Sequence, residues 1–240
     1  AECTIVGEGV RLRCFVSSAR DLLAVEIDDQ RQQPLDVRVT VSMWRAPEVT
    51  TPLNLWNSKG WIAEEVETGT HTARYEFSEP DGKVLVLQEF SEVREFRDEE
   101  YSAASAVAAG VAGGEVRIET PDDDGWEPAE LLWDEKPLHI DFERTRSSRG
   151  TRQARTIVIA AAQGTRTILV SSAASTRADH AVGGQALKRL DEASAHSYDA
   201  LLQEHTLWWH EFWSRTFVHI SSADGVADFM ERIRALHLYY

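Results

Sequence analysis

The chain has 240 residues, with 42% hydrophobic and 27% charged positions, and 40 Asp+Glu outweigh 25 Lys+Arg to give a formal charge of −15. That length supports one large domain or two modest ones with a proper core, and the composition is neither disordered nor collagen-like. A field this negative repels phosphate backbones and anionic headgroups, which argues against nucleic acid or a membrane surface as partner. The two cysteines exclude a disulfide-rich scaffold and a four-cysteine zinc site within one chain. No apolar run approaches the roughly 20 residues that span a bilayer, and Ala1-Glu2-Cys3-Thr4 lacks the basic, apolar and cleavage regions of a signal peptide.

Up to about residue 175 the dominant period is two. Leu35 to Met43 alternates apolar Leu35, Val37, Val39, Val41 and Met43 with polar Asp36, Arg38, Thr40 and Ser42, the pattern of a strand with one buried face. Shorter versions predict strands over Val10–Val16, Leu22–Ile27, His71–Phe77, Lys83–Phe90, Glu115–Glu119, Leu138–Phe142, Thr156–Ala162 and Thr167–Ser172. Turn chemistry separates them at Gly7-Glu8-Gly9, Glu79-Pro80-Asp81-Gly82 and Pro121-Asp122-Asp123-Asp124-Gly125. Many short strands with no helical pattern between them predict antiparallel sheets in a sandwich.

Near Gly183-Gly184 the period changes. Leu187, Leu190, Ser194, Tyr198, Leu201, His205, Trp208 and Phe212 recur at three- and four-residue steps, which predicts one helix about seven turns long. Leu202, Trp209 and Trp213 widen its apolar stripe. Thr216–Ile220 reads as a short extended segment, and Ser221-Ser222-Ala223-Asp224 as a helix start whose side chains accept first-turn amides. Val226, Phe229, Met230, Ile233, Leu236 and Tyr240 form a second stripe that reaches the last residue without a stop signal. That pattern is expected of a piece of something longer.

Few residues form a chemical constellation. Arg144, Arg146, Arg149, Arg152 and Arg155 could grip a polyanion, but their Ser and Gly filler fits a solvated loop. His205 and His210 stand five apart, which turns the second ring off the face that holds a helical zinc site; His205 belongs to the apolar stripe as a buried imidazole. Asp122-Asp123-Asp124-Gly125 opens like a calcium loop, yet the twelfth position is Trp133, so it reads as an acidic turn. No metal site and no cofactor follow from these residues. A tight hairpin at Glu8-Gly9 would set Cys3 opposite Cys14, either as a cross-strand bridge or as two thiols. No nucleophile elbow, phosphate loop or dinucleotide fingerprint is present, and no catalytic residue is assigned. Trp56 and Trp61, in the polar Asn54–Trp61 segment, are either a platform for sugar rings or cover for a sheet edge.

The order of elements, and the run His205–Ile220 with its Trp208-Trp209, Phe212 and Trp213-Ser214-Arg215-Thr216, resembles the N-terminal part of glycoside hydrolases like family 95, and the uncharacterised N-terminal domain family found in such proteins. Gly9–Arg45, ending in Trp44-Arg45, is similar to that family's early strands. The resemblance implies an antiparallel β-supersandwich over 1–180, a linker helix over 181–215, and at 216–240 the first helix of a truncated (α/α)6 barrel. It implies a non-catalytic region of a larger enzyme acting on oligo- or polysaccharides, with the catalytic carboxylates in the barrel and outside this chain. Trp208, Trp209, Phe212 and Trp213 would brace that barrel. The implied partners are carbohydrate and the barrel itself, and the implied setting is secreted or periplasmic. The contrasting expectation is a stand-alone carbohydrate-binding module using Trp56 and Trp61; a polysaccharide lyase fits less well because the sandwich comes first.

Overall fold

Alternation carries much of the chain before residue 175 into antiparallel strands. The computed structural model describes residues 2–43, 45–59, 62–94, 99–113, 115–121, 132–133, 136–137, 153–179 and 181–239. Strands β1 (Cys3–Gly7), β2 (Val10–Ser17), β3 (Leu22–Asp29), β13 (Gly164–Ser175), β8 (Glu99–Ala112), β7 (Val84–Arg94), β6 (Ile62–Ser78) and β5 (Glu48–Lys59) lie side by side in that order in one eight-stranded sheet. Strands β4 (Val37–Ser42), β12 (Ala154–Ile159) and β9 (Val116–Glu119) form a second sheet, and β10 (Leu132–Trp133) pairs with β11 (Lys136–Pro137). Three helices follow: α1 (Ala181–Ser194), α2 (Tyr198–Thr216) and α3 (Val226–Tyr239). Every strand pairing is antiparallel. The protein is mainly β with a helical C-terminal portion, as its period change predicts.

The large sheet is covered on both faces. One face meets the small sheet: Val84, Ala109 and Ile157 are buried together, with Val39, Val41, Phe77, Val111, Val116, Ile118 and Val170 against them. The other face carries α1 and the start of α2, where Ala24, Ala104, Ala106, Ala108, Leu169 and Ala173 meet Val182, Ala186, Leu190, Ala193, Tyr198 and Leu201. Successive side chains of a strand point to opposite faces, so β8 serves helices with its even positions and the small sheet with its odd ones. Alanine is a poor strand former, and β8 lacks the apolar–polar contrast that a half-exposed strand shows. The sequence pattern therefore missed it. It is a strand because both of its faces are buried, and its small side chains let α1 come close. A Cβ on Gly110 would stand 3.2 Å from the end of the Leu190 side chain, so a larger residue there would require the leucine to give way.

Local chemistry sets the ends. Glu8 and Gly9 both take positive φ (49° and 80°) between the Gly7↔Val10 pair, the two-residue turn that matches strand twist. The expected single helix of seven turns is two helices. Ser197 is extended (φ −71°, ψ 158°) and its hydroxyl accepts the Ala200 amide at 3.2 Å, which starts α2 afresh. The apolar stripe continues across this break because Leu190 and Tyr198 enter the same core. Thr156–Ala162 and Thr167–Ser172 form β12 and β13, and their connection passes from one sheet to the other. Phe217–Ile220 runs outside any strand. Helix α3 begins as expected: the Val226 amide donates to Asp224 and the Ala227 amide to the Ser222 hydroxyl. The Leu138–Phe142 strand expectation falls outside the described residues.

Leu190 is 1% exposed and sits where α1 meets β8. Leu190→Ala is expected to cost about 2–5 kcal/mol, read as a lower urea midpoint with an unchanged slope. A loss below about 1 kcal/mol would show that the site is not the packed centre described.

Candidate functional site

A dense set of polar contacts joins the β2–β3 hairpin to α2. Arg13 on β2 lies opposite Glu26 on β3 in register, and its Nη2 donates to Glu26 Oε1 at 2.6 Å and to Asp199 Oδ1 of α2 at 2.9 Å. Its guanidinium also stands 4.5 Å from the centre of the Tyr198 ring and 3.6 Å from Glu2. The Glu26 hydrogen bond, with Asp199 beside it, holds the Arg13 pKa above its usual value. Tyr198 is 1% exposed and its hydroxyl donates to Glu2 at 3.0 Å; burial first, and then Glu2, push that phenol up. Part-exposed ion pairs contribute only about 0.2–1 kcal/mol each, so they orient α2 while Phe15, Tyr198 and Leu201 supply the burial.

One turn further along α2, His205 is 3% exposed. Its Nδ1 accepts the Ser18 amide at 3.3 Å and lies 3.3 Å from the Ser18 hydroxyl, with the Phe15 ring 5.1 Å away. An Nδ1 that accepts an amide is unprotonated, so the neutral ring carries its proton on Nε2. Burial holds the His205 pKa below 6.5. Beside it opens a polar cleft of about 420 Å³ lined by Ser17, Ser18, Arg20, Asp21, Glu192 and Glu204, with Arg189 at its edge. Arg20 is paired with Glu204 at 3.0 Å and Arg189 with Asp21 at 2.8 Å. These charges neutralise one another, and the cleft presents polar surface rather than a nucleophile held by a base. Among the described residues no three or more His, Cys, Asp or Glu side chains are grouped to hold a metal ion.

The upper half of α2 carries an aromatic ladder. Trp208 stacks on Phe212 (5.5 Å between centres) and Trp209 on Trp213 (6.2 Å), while Trp208–Trp209 and Phe212–Trp213 meet edge to face at 4.9 and 5.3 Å. Trp209, Phe212 and Trp213 are half-buried, and Trp208 is 39% exposed. Beyond the ladder Arg234 donates to the Thr216 carbonyl at 2.6 Å, and Glu231 accepts the Ile220 amide at 3.1 Å, fastening α3 to the end of α2. The apolar stripe of α3 faces outward: Val226, Phe229, Met230, Ile233 and Leu236 are all exposed, Phe229 at 61%. Leu207, Phe217, Val218 and Ile220 are exposed as well.

The other expected site residues fare differently. Trp56 lies on β5 opposite Glu65, in the stretch of the β5–β6 hairpin beyond Gly69, where β6 no longer pairs with β7; Trp61 is outside the described residues. Arg155 is a β12 residue, 2.6 Å from Glu79 and 5.3 Å over the Phe77 ring, whereas Arg144, Arg146, Arg149 and Arg152 are outside the described residues. So is the acidic turn Asp122–Gly125. Cys3 and Cys14 are direct partners across β1 and β2. Sequence reasoning missed the Arg13–Glu26–Asp199–Tyr198 cluster. The Arg13/Glu26 half follows from hairpin register, but its contact with Asp199 spans 186 positions and leaves no local signal.

No family model matches the chain, and no curated protein matches it.

The buried His205 gives the protein an acid limit. Its folded pKa is lowered from 6.5, so the neutral ring contributes stability above that value, and this is lost as the pH falls from about 6.5 through the folded pKa. His205→Gln is expected to flatten the fall in melting temperature between pH 7 and pH 5. An identical pH slope in variant and parent would contradict the assignment.

Proposed function

We propose that this chain is the non-catalytic N-terminal sandwich and linker region of a larger glycoside hydrolase acting on oligo- or polysaccharides, and that it braces a catalytic helical barrel. The observation that carries the reading is the outward apolar stripe of α3, continued by Phe217, Val218 and Ile220. A helix with that much exposed apolar surface gains stability when it meets another apolar face. The stripe follows a sandwich-first order of elements and the Trp-rich His205–Ile220 run, which are the features that resemble hydrolases like family 95.

In this reading 1–180 is the supersandwich, 181–215 the linker and 216–240 the start of the barrel. In support of a linker seated on the sandwich, α1 and the base of α2 pack into the core of the large sheet. The partner of Trp208, Trp209, Phe212 and Trp213 is then the barrel. The barrel would supply both carboxyl groups, one protonating the leaving oxygen and the other activating water, as in an inverting glycosidase. No residue of this chain takes part in that chemistry.

Intact mass of the polypeptide in its native source tests the reading, with a value well above 27.0 kDa expected. A mass near 27.0 kDa overturns it and leaves the carbohydrate-binding module. Phe229→Asp sharpens the test. It is expected to lower the melting temperature of the native full-length protein by several degrees, because burying a Phe contributes about 1.5–3 kcal/mol. The same change in the 240-residue chain, where Phe229 is exposed, is expected to be nearly neutral.

A further inference from the structure

We infer that Cys3 and Cys14 are the site of a cross-strand disulfide that clips the edge strand β1 to β2 and thereby fixes the seat of α2. This is independent of the function proposed above.

The register carries the inference. The turn-closing pair Gly7↔Val10 is followed by Val6↔Arg11, Ile5↔Leu12, Thr4↔Arg13 and Cys3↔Cys14. Pairs alternate between hydrogen-bonded and non-hydrogen-bonded along an antiparallel ladder. Counting from the closing pair, Cys3↔Cys14 is of the hydrogen-bonded kind, with Cα atoms about 5.5 Å apart. That Cα separation is within the range of bridged cysteines, but the Cβ atoms of such a pair stand about 5.5 Å apart against the roughly 3.5–4.5 Å of a bridge, so the hairpin must tighten to close the bond, which is strained and readily reduced. Residues directly opposite point to the same face of the hairpin, so the two sulfurs approach one another. The Cys14 thiol is raised above its ordinary pKa first by burial and then by the neighbouring Cys3 thiol, which is within hydrogen-bonding reach.

The two thiols differ in a way that orders the chemistry. Cys3 is exposed and Cys14 half-buried. The Cys3 thiolate attacks a small-molecule disulfide, its new S–S bond forming as one small thiolate leaves. Cys14 then gives up its proton and attacks the Cys3 sulfur, expelling the second small thiolate. The protein loses two electrons and two protons, and the small disulfide becomes two thiols.

What the bridge would hold is functional in the fold. Every residue of β1 is exposed, and among the described residues β1 is the outer strand of its sheet, paired with β2. Glu2, the residue before Cys3, accepts the Tyr198 hydroxyl and lies near Arg13. Fraying of β1 withdraws Glu2 from the base of α2. A bond between Cys3 and Cys14 keeps it there.

The test is a redox titration of the full chain. The reduced protein is treated with oxidised glutathione, blocked with iodoacetamide without reduction, and digested with trypsin. Cleavage after Arg11 and Arg13 places Cys3 and Cys14 in separate peptides. The expected product is one linked pair, two hydrogens lighter than the sum of the thiol peptides, from a protein with no disulfide between chains. Oxidation is expected to raise the melting temperature, by less than the roughly 5–10 °C that closing an unstrained loop of this length gives. Cys3→Ser, at an exposed position, is expected to abolish the difference between oxidised and reduced samples. Complete alkylation of both cysteines after oxidant, a persistent glutathione adduct on Cys3, or a dimer linked through Cys3 would each overturn the proposal.

Discussion

Helix α1 rests on a floor of alanine. Ala104, Ala106 and Ala108 of β8, with Ala173 of β13, form a shallow surface that Val182, Ala186, Leu190 and Ala193 press into. Larger side chains on that floor would lift the helix away, and overpacking a close-packed interior costs about 1–3 kcal/mol. The single polar group at its centre is satisfied, since the buried Ser171 hydroxyl donates to the Ala186 carbonyl at 2.7 Å. At the rim Lys83 pairs with Asp191 and Arg189 with Asp21, both at 2.8 Å. The direction of everything after residue 181 depends on this seat.

Helix α2 works as a lever from that base. Its first two turns are inside the protein, with Tyr198, Leu201 and His205 buried, and its later turns rise out of it with Leu207 and Trp208 exposed. The aromatic ladder stiffens the rising part, since four rings in mutual contact at 4.9–6.2 Å restrict one another. Helix α3 hangs from its end by polar contacts with an apolar face outward. Along 190–236 the apolar stripe passes from buried at Leu190 to exposed at Leu236.

Much of this was legible in the residues, and the failures have physical causes. Period-two alternation located β2, β3, β4, β7, β12 and β13, because each has one face more buried than the other or a buried run bounded by turns. It missed β1, β5 and β8, the last because alanine on both faces leaves no contrast to read, and it gave β6 only over 71–77. Among the described residues the outer part of β6 pairs with β5 and not with β7. The helix stripe was visible but its break was not, because Ser194 to Ser197 interrupts the backbone while the apolar spacing carries on. The Ser222/Asp224 cap and the Cys3–Cys14 pairing were both within reach of local rules. The Arg13–Asp199 contact was not, since it joins an early strand to a late helix through the tertiary fold alone.

Native-state hydrogen exchange of the 240-residue chain tests the central claim most directly, which is that α1 and the base of α2 fold with the sheet while α3 does not. The amides of α1, β8 and β13 are predicted to exchange together at the rate of global unfolding, with those of α3 exchanging much faster. Equal protection of α3 and α1, or an α1 that opens while β8 stays closed, would contradict the account.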